Sequence, residues 1–245
     1  MIDQYNPESM AEWNEAFPDH AAARDAAIRW AREVMETDFV VLDTETTGLD
    51  YDDEAVSVGI VARSGAVLLD TLLCHEKPSN PLALAVHGIE WEMTRAAPRI
   101  AEIYETLVDL LGGAPVTGYN AGFDHRIIHQ TLDRYGLYSI HWSYSSDVMQ
   151  KFAEFYGEWN DYHQSYTWKK LTFAASFLGL SVAGAHGAVA DALMTLRVVE
   201  AMARAQLSTE GAIEYRINDG DYGWNDEPDP GVKGNRSYDK GSGDV

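Results

Sequence analysis

Phe39-Val-Val-Leu-Asp-Thr-Glu-Thr-Thr-Gly-Leu49 decides how this chain is read. It opens as a short apolar run that suits a buried strand. It then passes into two carboxylates, Asp43 and Glu45, and a Thr46-Thr47-Gly48 segment. Residues two apart on a strand share a face, so this spacing aims both carboxylates the same way. Like charges so placed repel unless a cation lies between them. Capping of the following turn, or an exposed polar strand end, is the alternative at this spacing.

Outward from that strand, Ala55 to Ala62 and Ala66 to Leu73 read as two more, joined by a hairpin through Arg63-Ser-Gly65. Ile100 to Leu111 has helical periodicity and closes at Gly112-Gly113. Pro115 to Tyr119 is β-like, and helices fit 123–135, 147–157, 168–178 and 187–206. Three strands, a helix, a strand and further helices predict an α/β fold, a mixed sheet covered by helices. Upstream, Ala26, Ile28, Trp30, Ala31 and Val34 line one face of an amphipathic helix. From about residue 218 the chain turns to Gly, Asp, Asn and Pro and reads as a solvated tail. The expected organisation is therefore a helical extension over 1–38, a domain over 39–217 and a Gly/Asp-rich tail over 218–245.

Acidic residues number 39 against 18 basic, a formal charge of −21, spread over all three zones. That balance excludes holding nucleic acid or anionic lipid by bulk electrostatics, which draws on Lys and Arg clusters. It leaves room for an enzyme whose bound metals supply local positive charge. The single cysteine, Cys74, has no internal disulfide partner. Leu171 to Ala190 carries no charge, but Ser181, His186 and three glycines interrupt it, so it reads as helix, turn and helix rather than a membrane span. With no basic-flanked apolar run at Met1 to Glu15, the expectation is a soluble, cytoplasmic protein without a membrane partner.

Two further signals are modest when taken singly. Asp124, in Tyr119-Asn-Ala-Gly-Phe-Asp124, stands at a strand-to-helix junction, where an Asp serves as an N-cap or as a ligand. In His186-Gly-Ala-Val-Ala-Asp191 the two side chains are separated by about 500° of helical rotation. They converge only if His186 lies on the loop and Asp191 one turn inside the helix; a cap or surface histidine is the alternative. In order along the chain they supply four carboxylates and a candidate base. Hard cations prefer such oxygens, and two-metal phosphodiester hydrolysis needs several of them on rigid elements.

Residues 39–49, Thr117-Gly-Tyr-Asn-Ala-Gly-Phe-Asp124 and His186-Gly-Ala-Val-Ala-Asp191 closely resemble the three motifs of the DEDDh branch of the 3′→5′ exonucleases, the DnaQ-like family. The resemblance covers about residues 39–205. Val86-His-Gly-Ile89 is similar to the family's substrate-contacting His-x-Ile segment, and Ser146-Asp147 to a further recurring feature. Tyr119 departs from the pattern, since many members have histidine there. The resemblance implies a ribonuclease-H-like sheet of five strands with one antiparallel member. It implies two divalent cations, Mg²⁺ or Mn²⁺. Asp43 would bridge both, Glu45 and Asp191 would complete the tighter site, and Asp124 would hold the second, with His186 as general base. Substrate contacts would come from Thr44, Thr46, Thr47, Gly48, His87, Ile89, Asn120 and Phe123. Trp168-Lys169-Lys170, Arg95, Arg99 and Arg126 are the cations best placed by sequence to meet a nucleic-acid backbone.

The implied activity is release of nucleoside 5′-monophosphates from a single-stranded or frayed DNA 3′ end. The Thr-Glu-Thr-Thr-Gly form of the first motif resembles proofreading-type members. The alternatives are an exoribonuclease on short or structured-RNA 3′ ends and, from a different class, a non-catalytic nucleic-acid-binding or replication accessory module. A polymerase partner fits the family, although the tail holds no clear Gln-x-x-[Leu/Met]-x-Phe clamp-binding peptide. No sequence feature sets an oligomeric state.

Overall fold

The computed structural model describes residues 19–144 and 147–208. The tail over 218–245, the first 18 residues and Ser146 lie outside them. Helix α1 (His20–Met35) starts at the N-cap Asp19, whose carboxylate accepts the Ala22 N–H. It buries Ala27, Ile28, Ala31 and Val34. Ala27, rather than the expected Ala26, completes that face, and Ala26 is exposed. The chain then forms β1 (Val40–Thr46), β2 (Ala55–Ala62) and β3 (Val67–Leu72). Two short helices follow, α2 (Pro81–His87) and α3 (Trp91–Thr94), and then α4 (Ile100–Leu111), β4 (Pro115–Thr117), α5 (Ala121–Arg134) and β5 (Ser143–Tyr144). Helix α6 (Val148–Tyr156), the hairpin β6 (Trp159–Asn160) and β7 (Ser165–Tyr166), α7 (Leu171–Phe177) and α8 (Ala188–Arg204) complete the described fold.

The sheet runs β3-β2-β1-β4-β5, with β2 antiparallel to both neighbours and β4 parallel to both β1 and β5. It is a four-stranded sheet extended at one edge by a two-residue fifth. That fifth strand pairs only Ser143 with Pro115 and Tyr144 with Val116, because β4 itself is three residues long. Side-chain parity divides the core. Val41 and Val61 face a cluster built with α1, α6, α7 and α8, while Val40, Leu42, Val58 and Ile60 face one built with α4 and α5. Asp43 and Glu45 continue the parity of Val41, and Thr44 that of Leu42.

Helix α1 shares the α8-side cluster. The uncharged stretch 171–190 resolves into α7, a turn and the start of α8. No helix among the described residues is long and apolar enough to cross a membrane. Helices α2 and α3 and the β6–β7 hairpin have no counterpart in the sequence reading. α2 and α3 together bury only Thr94, so they lack the apolar stripe that periodicity detects.

Candidate active site

β1 ends at the centre of the sheet, and the ladder to β2 shifts register between Glu45 and Thr46. Asp43 is paired there with Gly59 of β2. A Cβ at Gly59 would lie 2.5 Å from the carbonyl carbon of Ala188 and the nitrogen of Val189, so the missing side chain lets the first turn of α8 rest on the strand. Asp191 is in that first turn. One carboxylate oxygen each from Asp43, Glu45 and Asp191 lies within 4.8 Å of the others.

Asp124 joins the group from the opposite side. It is not the N-cap of α5. Asn120 holds that position in a left-handed conformation (φ 65°), and Asp124 sits one turn inside, 3% exposed. Its Oδ1 accepts the Thr44 hydroxyl at 2.7 Å. The exposed backbone at the start of α5 is met by Asp147, the N-cap of α6, whose Oδ1 accepts the N–H groups of Asn120 (3.1 Å) and Met149 (2.8 Å). One carboxylate thus ties the second motif to the next helix.

The electrostatics follow from crowding. Burial, then Asp124, Glu45 and Asp191, hold the Asp43 carboxyl well above its ordinary range. Burial and then Asp191 and Asp124 push Glu45 up to about 8. Asp124 is raised by burial against the opposing Thr44 hydrogen bond. Asp191 is raised by burial against the His186 N–H. The donor set is oxygen only, closely spaced and without a basic partner among these groups, which fits a hard divalent cation rather than zinc or copper.

His186 stands on the loop before α8 with φ 71°. Its backbone N–H, not its ring, reaches Asp191, at 3.3 and 3.2 Å from the two carboxylate oxygens. The residue itself is exposed. The rim residues named in the sequence are mostly engaged with one another. Thr46 donates to Gly48 O, and Thr47 donates to Asp53 Oδ1, both at 2.7 Å. Gly48 is hemmed in by Asn80 and Asp53, with a Cβ there 2.3 Å from one and 2.4 Å from the other. His87 uses both ring nitrogens. Nδ1 accepts the Ile89 N–H at 2.9 Å, which leaves Nε2 to donate to Thr46 O at 3.2 Å. Burial holds its imidazole below the ordinary range. His87 and Ile89 thereby pin α2 to the end of β1.

Phe123 packs into the α5-side core. Arg126 and Lys169 are engaged by the protein itself: Arg126 donates to the turn after the first motif, and Lys169 pairs with Glu158 at 2.7 Å. Three features had no reading in the sequence: the Gly59 contact, the Lys77 ion pairs to Asp52 and Asp53, and an exposed Tyr51 stacked on Arg126. A glycine inside a strand pattern is a signal for close approach and points to the first. The other two depend on contacts between distant segments.

With this geometry in view, the chain can be set beside known proteins. The exonuclease family of RNase T type matches residues 40–199. The uncharacterised exonuclease CP81 of Escherichia phage 186 is 38% identical over 180 residues, spanning 71% of this chain and 92% of that protein. A PolC-type DNA polymerase III from Caldanaerobacter subterraneus subsp. tengcongensis is 28% identical over 168 residues, which are 67% of this chain but 11% of the polymerase. Among solved structures, S. pombe Pop2p in its Mg²⁺- and Mn²⁺-bound form covers 75% of this chain and 90% of its own, with TM-score 0.52 and 16% identity. A 3′-exonuclease solved with a histone mRNA stem-loop covers 69% and 64%, with TM-score 0.54 and 14% identity. At such identities these two similarities concern the fold.

Proposed function

Because the chain belongs to the exonuclease family of RNase T type, we propose that it is a divalent-metal-dependent 3′→5′ exonuclease of the DEDDh branch that releases nucleoside 5′-monophosphates from single-stranded or frayed DNA ends. The observation that carries this is the convergence of Asp43, Glu45 and Asp191 within 4.8 Å, with Asp124 beside them and the exposed His186 bonded to Asp191 through its backbone N–H.

Two cations, Mg²⁺ or Mn²⁺, held by Asp43, Glu45, Asp124 and Asp191, would supply the acidity that activates water and the charge that stabilises the leaving 3′-oxygen. The protein's own part is positional and protonic. Burial and mutual repulsion keep the four carboxylates poised to exchange protons for cations. The His186 ring nitrogen accepts the proton of the attacking water, as an exposed imidazole on a loop fixed to Asp191 by its backbone. The choice of DNA is supported by the Thr-Glu-Thr-Thr-Gly motif and by relatives named as DNA polymerase III PolC-type and DNA polymerase III subunit epsilon. Those relatives make a polymerase partner a natural second test.

The deciding experiment incubates the purified chain with 5′-labelled single-stranded DNA and RNA of the same sequence, with Mg²⁺, Mn²⁺ or EDTA. A ladder shortening one nucleotide at a time from the 3′ end, faster on DNA and absent in EDTA, is expected. Internal cuts, 5′ polarity or no digestion with either ion would overturn the assignment, and faster loss of RNA would move it to an exoribonuclease.

A further inference from the structure

Tyr51 lies two residues beyond the first motif and is 85% exposed. Burial in the core therefore does not account for its ring. The ring is nonetheless held. The Arg126 guanidinium carbon lies 5.0 Å from the Tyr51 ring centre and 5.1 Å from that of Phe123, so one cation links the ring beside Asp124 to the exposed ring of Tyr51.

Arg126 is not free to leave that position. It donates to Gln130 Oε1 at 2.8 Å, to Leu49 O at 3.1 Å and to Asp50 O at 3.4 Å. The turn carrying Tyr51 is fixed from its other side. Asp53 accepts the Asp50 N–H at 2.8 Å and the Thr47 hydroxyl at 2.7 Å, and it is paired with Lys77 at 2.9 Å. The guanidinium sits over the phenol ring, and the residue still stands largely in solvent, open to a further planar group.

We propose that Tyr51, braced by Arg126, is a stacking platform for a nucleobase of the strand whose 3′ end occupies the carboxylate site. The inference rests on the exonuclease reading above. Its physical logic is the charge of the chain. At −21 the protein cannot gather a polyanion by long-range attraction. Stacking needs no charge, tolerates any base, and contributes about 1–3 kcal/mol per base. Arg126 spends its hydrogen bonds on the protein, so it acts as a positioning residue for the ring rather than as a phosphate clamp.

The test uses Tyr51→Ala, Tyr51→Leu and Tyr51→Phe in the full chain. Steady-state kinetics in Mg²⁺ compare a single-stranded DNA octamer with a dinucleotide, and fluorescence anisotropy measures octamer binding in Ca²⁺. Tyr51→Ala and Tyr51→Leu should weaken octamer binding and raise its KM by about 5- to 150-fold, the factor that such a stacking energy gives. The kcat should change little, and Tyr51→Phe should behave as the parent. Unchanged octamer affinity in Tyr51→Ala, or Leu serving as well as Phe, overturns the platform. A parent protein that binds the octamer through Tyr51 but digests nothing separates failure of the exonuclease reading from failure of this one.

Discussion

The hydroxyl of Thr44 donates to Oδ1 of Asp124 at 2.7 Å in the buried interior, joining residues 80 positions apart. Thr44 stands on β1 between Asp43 and Glu45 but faces the other side of the sheet. It therefore holds the fourth carboxylate while its neighbours present the first two. Thr44→Val keeps the shape and β propensity and removes only the donor. We expect a loss of about 10- to 100-fold in activity or metal affinity, the usual effect of removing a group that orients a ligand. Calorimetric titration with Mn²⁺ checks it, and unchanged affinity and turnover would show that Asp124 is positioned by α5 alone.

The metal-free protein should lose stability as pH rises. Glu45 is pushed from 4.5 to about 8, first by burial and then by Asp191 and Asp124, so the fold favours its protonated form. A group raised in the folded state stabilises fully below its unfolded pKa, and that contribution disappears as pH passes the folded value. Thermal melts in EDTA should therefore show Tm falling between about pH 5 and pH 9. Mg²⁺ should restore stability at the alkaline end, and Glu45→Gln should flatten the profile. A Tm that rises over this interval would contradict the cause assigned to the shift.

His186→Asn is expected to lower kcat by about 10²–10⁴-fold, the range of a general base. Asparagine tolerates the left-handed backbone at φ 71° and retains the N–H that Asp191 accepts. Mn²⁺ affinity should accordingly stay near that of the parent. Loss of affinity together with rate would assign His186 to building the site instead of to proton transfer.

Gly59→Ala should weaken metal binding without touching a ligand. The new methyl group would fall 2.5 Å from the backbone of Ala188 and Val189, and neither strand nor helix backbone yields easily. The cost is about 1–3 kcal/mol of stability, with Asp191 displaced from Asp43, the cross-strand partner of Gly59. Gly65→Ala is the control. It meets no atom within 4 Å and suffers only its φ of 83°, so it should lower Tm while leaving Mn²⁺ affinity intact. Equal effects from the two variants would reduce the Gly59 contact to ordinary packing.

Much of the site was legible because its signals are local. Two-residue parity aimed Asp43 and Glu45 to one face. The five-residue step from His186 to Asp191 allowed the two to meet only across a loop and one helical turn; that loop and turn are present, and it is the His186 backbone N–H that meets Asp191. Asp124 was harder. At a strand-to-helix junction an Asp taken alone reads first as a cap, and only the Asn120 start of α5 and the Thr44 bond show otherwise. His87 was read as a substrate contact, yet both of its nitrogens serve chain-internal bonds. Short elements escaped as well. β5 has two residues and α2 buries none, so neither leaves a period to detect.

By itself the sequence determined the family, the α/β class and the identities and order of the acids, because strand and helix periods and three contiguous motifs are written in neighbouring residues. Only the tertiary structure decided how those acids meet. The separation of Asp43 from Asp191 is set where α8 presses on Gly59, and Asp124 is oriented by a hydroxyl 80 residues away. The Tyr51 ring is displayed by an arginine on another helix. Each of these depends on close packing between segments remote in the chain, and such distances have no local periodicity from which they could be read.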